Sequence, residues 1–241
     1  MRYINVSNAA INKLKNAYIK DKTKSTREYG IIYSSRNTIK NRYLRKKDSH
    51  DFYGTDIWGC VNREFSPYLD KGMTVYGEIV GYVEGKDTMI QAQHDYGCKK
   101  GQWKFMPYRI TMTDEEGNKT EWDIKEVDAW TRNLVKEHPE LEDKTMFLTI
   151  LYYGRLGDLY PDIDEKTHWH ENLLQRMKED KDNFGMELDE PLCKNKVPRE
   201  GIVIRIVGDK FARAWKLKTA RHYHKEAEQH AKGAVDIEEI A

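Results

Sequence analysis

The sequence predicts an α+β fold of antiparallel sheets flanked by helices, and three observations carry that expectation. Short runs rich in β-branched and aromatic residues lie toward both ends of the chain. Stretches with apolar residues at helical spacing are inserted between them. The last two strand-like runs are separated only by Gly208-Asp209-Lys210, the signature of a hairpin.

Taken in order, strands are expected at Tyr3–Val6, Tyr29–Ser34, Met73–Val83, Trp103–Thr113, Thr145–Tyr153, Gly201–Val207 and Phe211–Leu217. A helix is expected over Ile124–His138, where Ile124, Val127, Trp130, Leu134 and Val135 form one stripe. A second, over Thr167–Lys181, carries Leu173, Leu174 and Met177. A third, polar helix over Thr219–Lys232 has Gly233 in the stop position. No internal repeat, low-complexity tract or proline-rich linker divides the chain. Residues 1–219 therefore read as one domain, and 220–241 as a C-terminal helix with an acidic tail.

A chain of 241 residues buries a full core. Although 34% of its residues are charged, 11% are aromatic, which favours a globular chain over a disordered one. No apolar run approaches the ~20 residues of a membrane span, and the N-terminus turns polar at once, without the apolar core of a signal peptide. A cytoplasmic location and no membrane partner are expected. Cys60, Cys98 and Cys193 are too few and too widely spaced for a zinc site or an even disulfide framework, so they read as reduced thiols. The net charge of +1 conceals a local excess. From Ile11 to Lys47 twelve Lys or Arg stand against Asp21 and Glu28, with Tyr33 and Tyr43 interleaved. Such a region either tracks a phosphate backbone or forms a solvated face.

The chemistry is concentrated near the C-terminal end. Side chains alternate along a strand, so Lys216 and Lys218 project together while Trp215 and Leu217 face the other way. Glu200 enters the preceding strand. A carboxylate and two lysines on one hairpin are what a metal-assisted nucleotidyl-transfer site requires. Alone, each is commonplace: Glu200 would cap a strand, and the lysines would guard an edge.

An ordered series makes the pattern specific. It runs Ser34-Ser35-Arg36-Asn37, Val75-Tyr76-Gly77-Glu78-Ile79-Val80-Gly81, Phe105-Met106-Pro107-Tyr108-Arg109-Ile110, Glu200-Gly201-Ile202-Val203-Ile204-Arg205 and Trp215-Lys216-Leu217-Lys218. This series resembles the covalent nucleotidyltransferase superfamily of ATP-dependent RNA and DNA ligases and capping enzymes, and most of all the RNA ligases of the double-strand, phage type. The resemblance implies an ATP-grasp-like ligase nucleotidyltransferase domain that joins 5′-phosphate and 3′-hydroxyl RNA ends through an enzyme-AMP intermediate, with ATP and Mg2+ as cofactors. It implies that Glu78 contacts the ribose, that Phe105 or Tyr108 stacks on the adenine, and that Arg36 contacts a phosphate. Glu200 would hold the divalent cation, and Lys216 and Lys218 would neutralise the α-phosphate. The basic residues Arg42, Arg45, Lys46 and Lys47 would then meet RNA, in a nicked duplex or an RNA/DNA hybrid.

The sequence also departs from this family. The family's nucleophile is the lysine of a Lys-x-Asp-Gly segment, and no such segment occurs here. Its natural place is at or just before Met1, so the expectation is a chain truncated just downstream of its catalytic lysine, unable to adenylylate itself as written. Lys13, Lys15, Lys20, Lys22 and Lys24 lack the glycine turn and do not replace it. Arg109 stands where the family often has aspartate. A non-catalytic nucleotide- or nucleic-acid-binding module, or a relative of DNA ligases or capping enzymes, is the alternative reading. Oligomeric state is not legible.

Overall fold

The computed structural model describes residues 30–35, 39–40, 53–164, 166–179, 183–185, 188–207 and 213–231. The expected strand Tyr3–Val6 and the site candidates Arg36, Arg42, Arg45, Lys46 and Lys47 lie outside these residues.

Mixed α and β structure with small antiparallel sheets is what the described residues form, in keeping with the α+β expectation. A short ladder pairs β1 (Tyr33–Ser34) with β2 (Ile39–Lys40). Helix α1 (Ile57–Phe65) follows, its first turn held by the Asp56 side chain, which accepts from Gly59 N at 2.9 Å and from the Tyr33 hydroxyl at 2.6 Å. The central sheet has the order β3 (Met73–Gly81), β4 (Trp103–Thr113), β5 (Lys119–Glu121). Helix α2 (Ile124–Glu137) opens on a full capping box between Asp123 and Glu126 and ends just before Pro139, which has no N–H to continue it. After the short turn α3 (Leu156–Leu159) and helix α4 (Trp169–Glu179), strands β6 (Gly201–Ile206) and β7 (Arg213–Lys218) form the expected hairpin. Helix α5 (Ala220–Ala231) follows directly.

Strand β4 is central yet contains Pro107. The ladder with β3 pairs Tyr76 with Arg109 and Gly77 with Pro107, so Tyr108 is an extra residue at a bulge. A bulge is where a central strand tolerates a residue without an N–H. Below it, the Phe105 ring fills the space over Gly77, 2.3 Å from where a Cβ would be.

Two apolar clusters hold the elements together. Cys60, Val61 and Phe65 of α1 pack on Trp103 and Phe105 of β4 and on Leu134 of α2. Leu217 of β7, with Ile202 and Ile204 of β6, packs on Leu173 and Met177 of α4 and on Tyr160 and Ile163. The inward faces of β6 and β7 are thus spent on this second cluster, which leaves Lys216 and Lys218 on the other face, as the alternation predicts.

One expected strand is absent. In Thr145–Tyr153 only Thr145 pairs, by a parallel bridge to Phe105, and Met146 N donates to Phe105 O at 2.9 Å. The next step of that ladder would need an N–H from Pro107, so it stops, and Leu151, Tyr152 and Tyr153 remain 40–46% exposed. Helix α1 and strand β5 were not expected, although Ile57, Cys60, Val61 and Phe65 carry helical spacing. No helix among the described residues is long and apolar enough to cross a membrane.

Candidate functional site

The start of β6 is built around Gly201. Its φ of +148° suits only glycine, and a Cβ there would lie 1.9 Å from the Leu217 carbonyl oxygen. This close approach brings Glu200 beside β7, where Thr219 N donates to the Glu200 carbonyl at 3.0 Å. The Glu200 carboxylate then lies on the same side as Lys216 and Lys218. Lys216 Nζ forms an ion pair with Oε1 of Glu200, Lys218 Nζ lies 3.8 Å from the same oxygen, and His222 Nε2 of α5 lies 3.9 Å from it. Two ammonium groups thus approach one carboxylate oxygen. The Lys216 side chain is 50% exposed, against 23% for Lys218 and 22% for Glu200.

A second wall is the central sheet. One large open cavity of about 3660 Å³ reaches both walls, lined among others by Glu78, Tyr96 and Tyr108 and by Glu200, Lys216, Lys218 and His222. That volume exceeds the ~300–1,000 Å³ of a small-molecule pocket, so the polar groups rather than the volume define what the cleft binds. Glu78 stands opposite Met106 in the β3–β4 ladder.

Tyr96 lies within reach of charges from both walls. Burial raises its phenol pKa first, and the negative charges of Glu78, Glu200 and Glu190 raise it further. Carboxylates from β3 and from the start of β6 therefore act on one hydroxyl, which donates to Gln91 Oε1 at 3.0 Å. The loop that presents it is strained, with φ of 68° at Gln93 and 46° at Tyr96. Tyr96 escaped the sequence reading; Asp95-Tyr96-Gly97 shows a turn but no chemistry.

Two clamps set the separation of the walls. The Asp95 side chain, 2% exposed, accepts from Gly97 N at 3.1 Å and from Lys194 N at 3.2 Å. On the other flank the Glu121 carboxylate, 4% exposed, pairs with Arg109 at 2.7 Å and with Arg205 of β6. Arg205 also donates to the carbonyl of Tyr108 at 3.0 Å, which fixes the bulge to the second sheet. Arg109 is thus spent on Glu121 and on the Tyr76 ring, whose centroid is 4.9 Å from its guanidinium.

The two aromatic candidates part company. Phe105 is 8% exposed and packs edge-on against Phe65 at 5.2 Å, inside the first cluster. Tyr108 is 42% exposed; both residues line the cavity, but Tyr108 is the more open of the two.

Among the described residues no group of three or more His, Cys, Asp or Glu stands ready to hold a metal ion. Magnesium is commonly held by one or two carboxylates together with substrate phosphates. A single carboxylate such as Glu200 fits that arrangement and does not fit a cage made by protein alone.

Comparisons with models of known families, with curated proteins and with solved structures yield no match to this chain.

Proposed function

We propose that this chain forms the nucleotide-binding domain of an ATP-dependent RNA ligase-type nucleotidyltransferase. The observation that carries the reading is the convergence of Lys216 and Lys218 on Glu200, in a cavity that Glu78 and Tyr108 also line. The ordered sequence segments that contain these residues support it independently.

Charge builds on the α-phosphate oxygens during in-line displacement, and two fixed ammonium groups offset it without reorganising solvent. Lys216, the more exposed lysine, exchanges Glu200 for phosphate, and Lys218 binds beside it. Bound magnesium would supply further positive charge at the phosphate oxygens, held through Glu200. Glu78 accepts from ribose hydroxyls, and Tyr108 offers its ring to the adenine. Arg36 contacts a phosphate, and Arg42, Arg45, Lys46 and Lys47 bind the RNA backbone.

In the full reaction a lysine Nζ attacks the α-phosphorus of ATP and pyrophosphate leaves. AMP then passes to an RNA 5′-phosphate, and a 3′-hydroxyl displaces it as the ends join. The attacking lysine belongs to a Lys-x-Asp-Gly segment that this sequence lacks. The chain as given is therefore expected to bind ATP without forming an adduct, and a protein extended upstream by such a segment is expected to become labelled by ATP carrying a radioactive α-phosphate. An extended protein that stays unlabelled in ATP and Mg2+ would overturn the ligase reading. If it still bound nucleotide, the second reading would stand: a non-catalytic binding module. Transfer of GMP, or sealing of DNA alone, would move the assignment to capping enzymes or DNA ligases.

A further inference from the structure

We infer that His222 is a positioning residue of this site, holding the Glu200 carboxylate in place when Lys216 leaves it for a phosphate. The inference rests on the nucleotide-site reading above and adds a residue to it. Lys216, Lys218 and His222 all approach the same oxygen, Oε1, of Glu200. A phosphate that draws both lysines away removes the contacts that now aim the Glu200 carboxylate, and a group that stays beside the same oxygen limits how far it swings before a cation meets it.

His222 differs from the lysines in how it is held. Its side chain is 10% exposed, whereas that of Lys216 is 50% exposed. Its backbone N–H donates to Thr219 Oγ1 at 3.1 Å, closing the first turn of α5. Thr219 in turn donates through Oγ1 to the Arg199 carbonyl at 2.9 Å and through its N–H to the Glu200 carbonyl at 3.0 Å. The helix start that carries the imidazole is thereby fastened to the peptide groups on both sides of Glu200. The lysines change partners when phosphate binds; the imidazole keeps its place, 3.9 Å from Oε1, and keeps Glu200 aimed at the cleft.

The test is ATP affinity in Mg2+, with melting temperature recorded alongside, for the wild-type chain and for His222→Ala, His222→Gln, Glu200→Ala and the Glu200→Ala/His222→Ala double variant. His222→Ala is expected to weaken binding by about threefold to tenfold, the size of coupling between neighbouring groups. His222→Gln, whose amide can reach toward Glu200 as the imidazole does, is expected to recover most of that loss. With Glu200 already replaced, removing His222 is expected to change nothing further. An equal loss in the Glu200→Ala background would make His222 a packing residue only, and unchanged affinity in both His222 variants would remove it from the site; either result overturns the inference and leaves the nucleotide-site reading intact. A wild-type chain that melts cooperatively but binds no ATP would overturn both.

Discussion

The carbonyl oxygen of Leu217 occupies the space where a side chain on Gly201 would begin, 1.9 Å from the position of a Cβ. Because Gly201 also has φ of +148°, any other residue there meets both a clash and a disfavoured backbone. Gly201→Ala is expected to destabilise the fold by about 2–4 kcal/mol, in the range of other strained special positions. It should also pull Glu200 away from Lys216. Chemical denaturation measures the first effect, and nucleotide affinity of the remaining folded protein measures the second.

Phe105 and Tyr108 lie three residues apart in the same strand but meet different surroundings, which separates their substitutions. Phe105→Ala is expected to cost about 3–5 kcal/mol of stability, the usual loss for a buried ring. Tyr108→Ala should cost little stability and weaken ATP binding about tenfold, a typical loss for a base-stacking ring, while Tyr108→Phe keeps it. Paired melting and binding measurements distinguish the two. A Tyr108→Ala protein with full affinity would remove Tyr108 as base platform.

The hairpin, its lysine face and the outline of the central sheet were legible in the sequence because each depends on period-two alternation and on local turn residues. What alternation could not give was the turn at Gly201 that places Glu200 on the lysine face, since this depends on the Leu217 carbonyl in another strand. Strand Thr145–Tyr153 was overread for a related reason. Its apolar run is strand-like, but pairing needed a donor that Pro107 lacks. Tyr96 and His222 were invisible: one is brought to the cleft by a strained loop, the other by a helix cap, and neither has a sequence pattern tied to the chemistry.

Glu121 joins the two walls through Arg109 and Arg205 while almost fully buried. Glu121→Ala leaves both guanidinium groups without that carboxylate and is expected to cost about 3–5 kcal/mol, the loss seen when one member of a buried ion pair is removed. Because the contact is shielded from solvent, the difference between wild type and variant should persist in high salt. Urea denaturation at two salt concentrations checks this.

Cys60 gives a pH signature. Burial, and then its hydrogen bond to Glu84 at 3.0 Å, raise the thiol from 9.0 to about 11. The folded chain holds this proton more tightly than the unfolded chain does. Its contribution to stability is therefore full below pH 9.0 and is lost as pH rises to about 11. Stability of the wild type should fall more steeply across this window than that of Cys60→Ser, as measured by denaturation at a series of pH values. At neutral pH the buried Cys60 thiol should react slowly with alkylating reagents.

The most direct measurement is titration of the chain with ATP in Mg2+, comparing wild type with the Lys216→Ala/Lys218→Ala double variant. Two charge-assisted contacts to phosphate are expected to make the variant bind about a hundredfold more weakly while it melts at nearly the wild-type temperature. Equal affinity in the two proteins, or no binding by a folded wild type, would contradict a phosphate site at Lys216, Lys218 and Glu200.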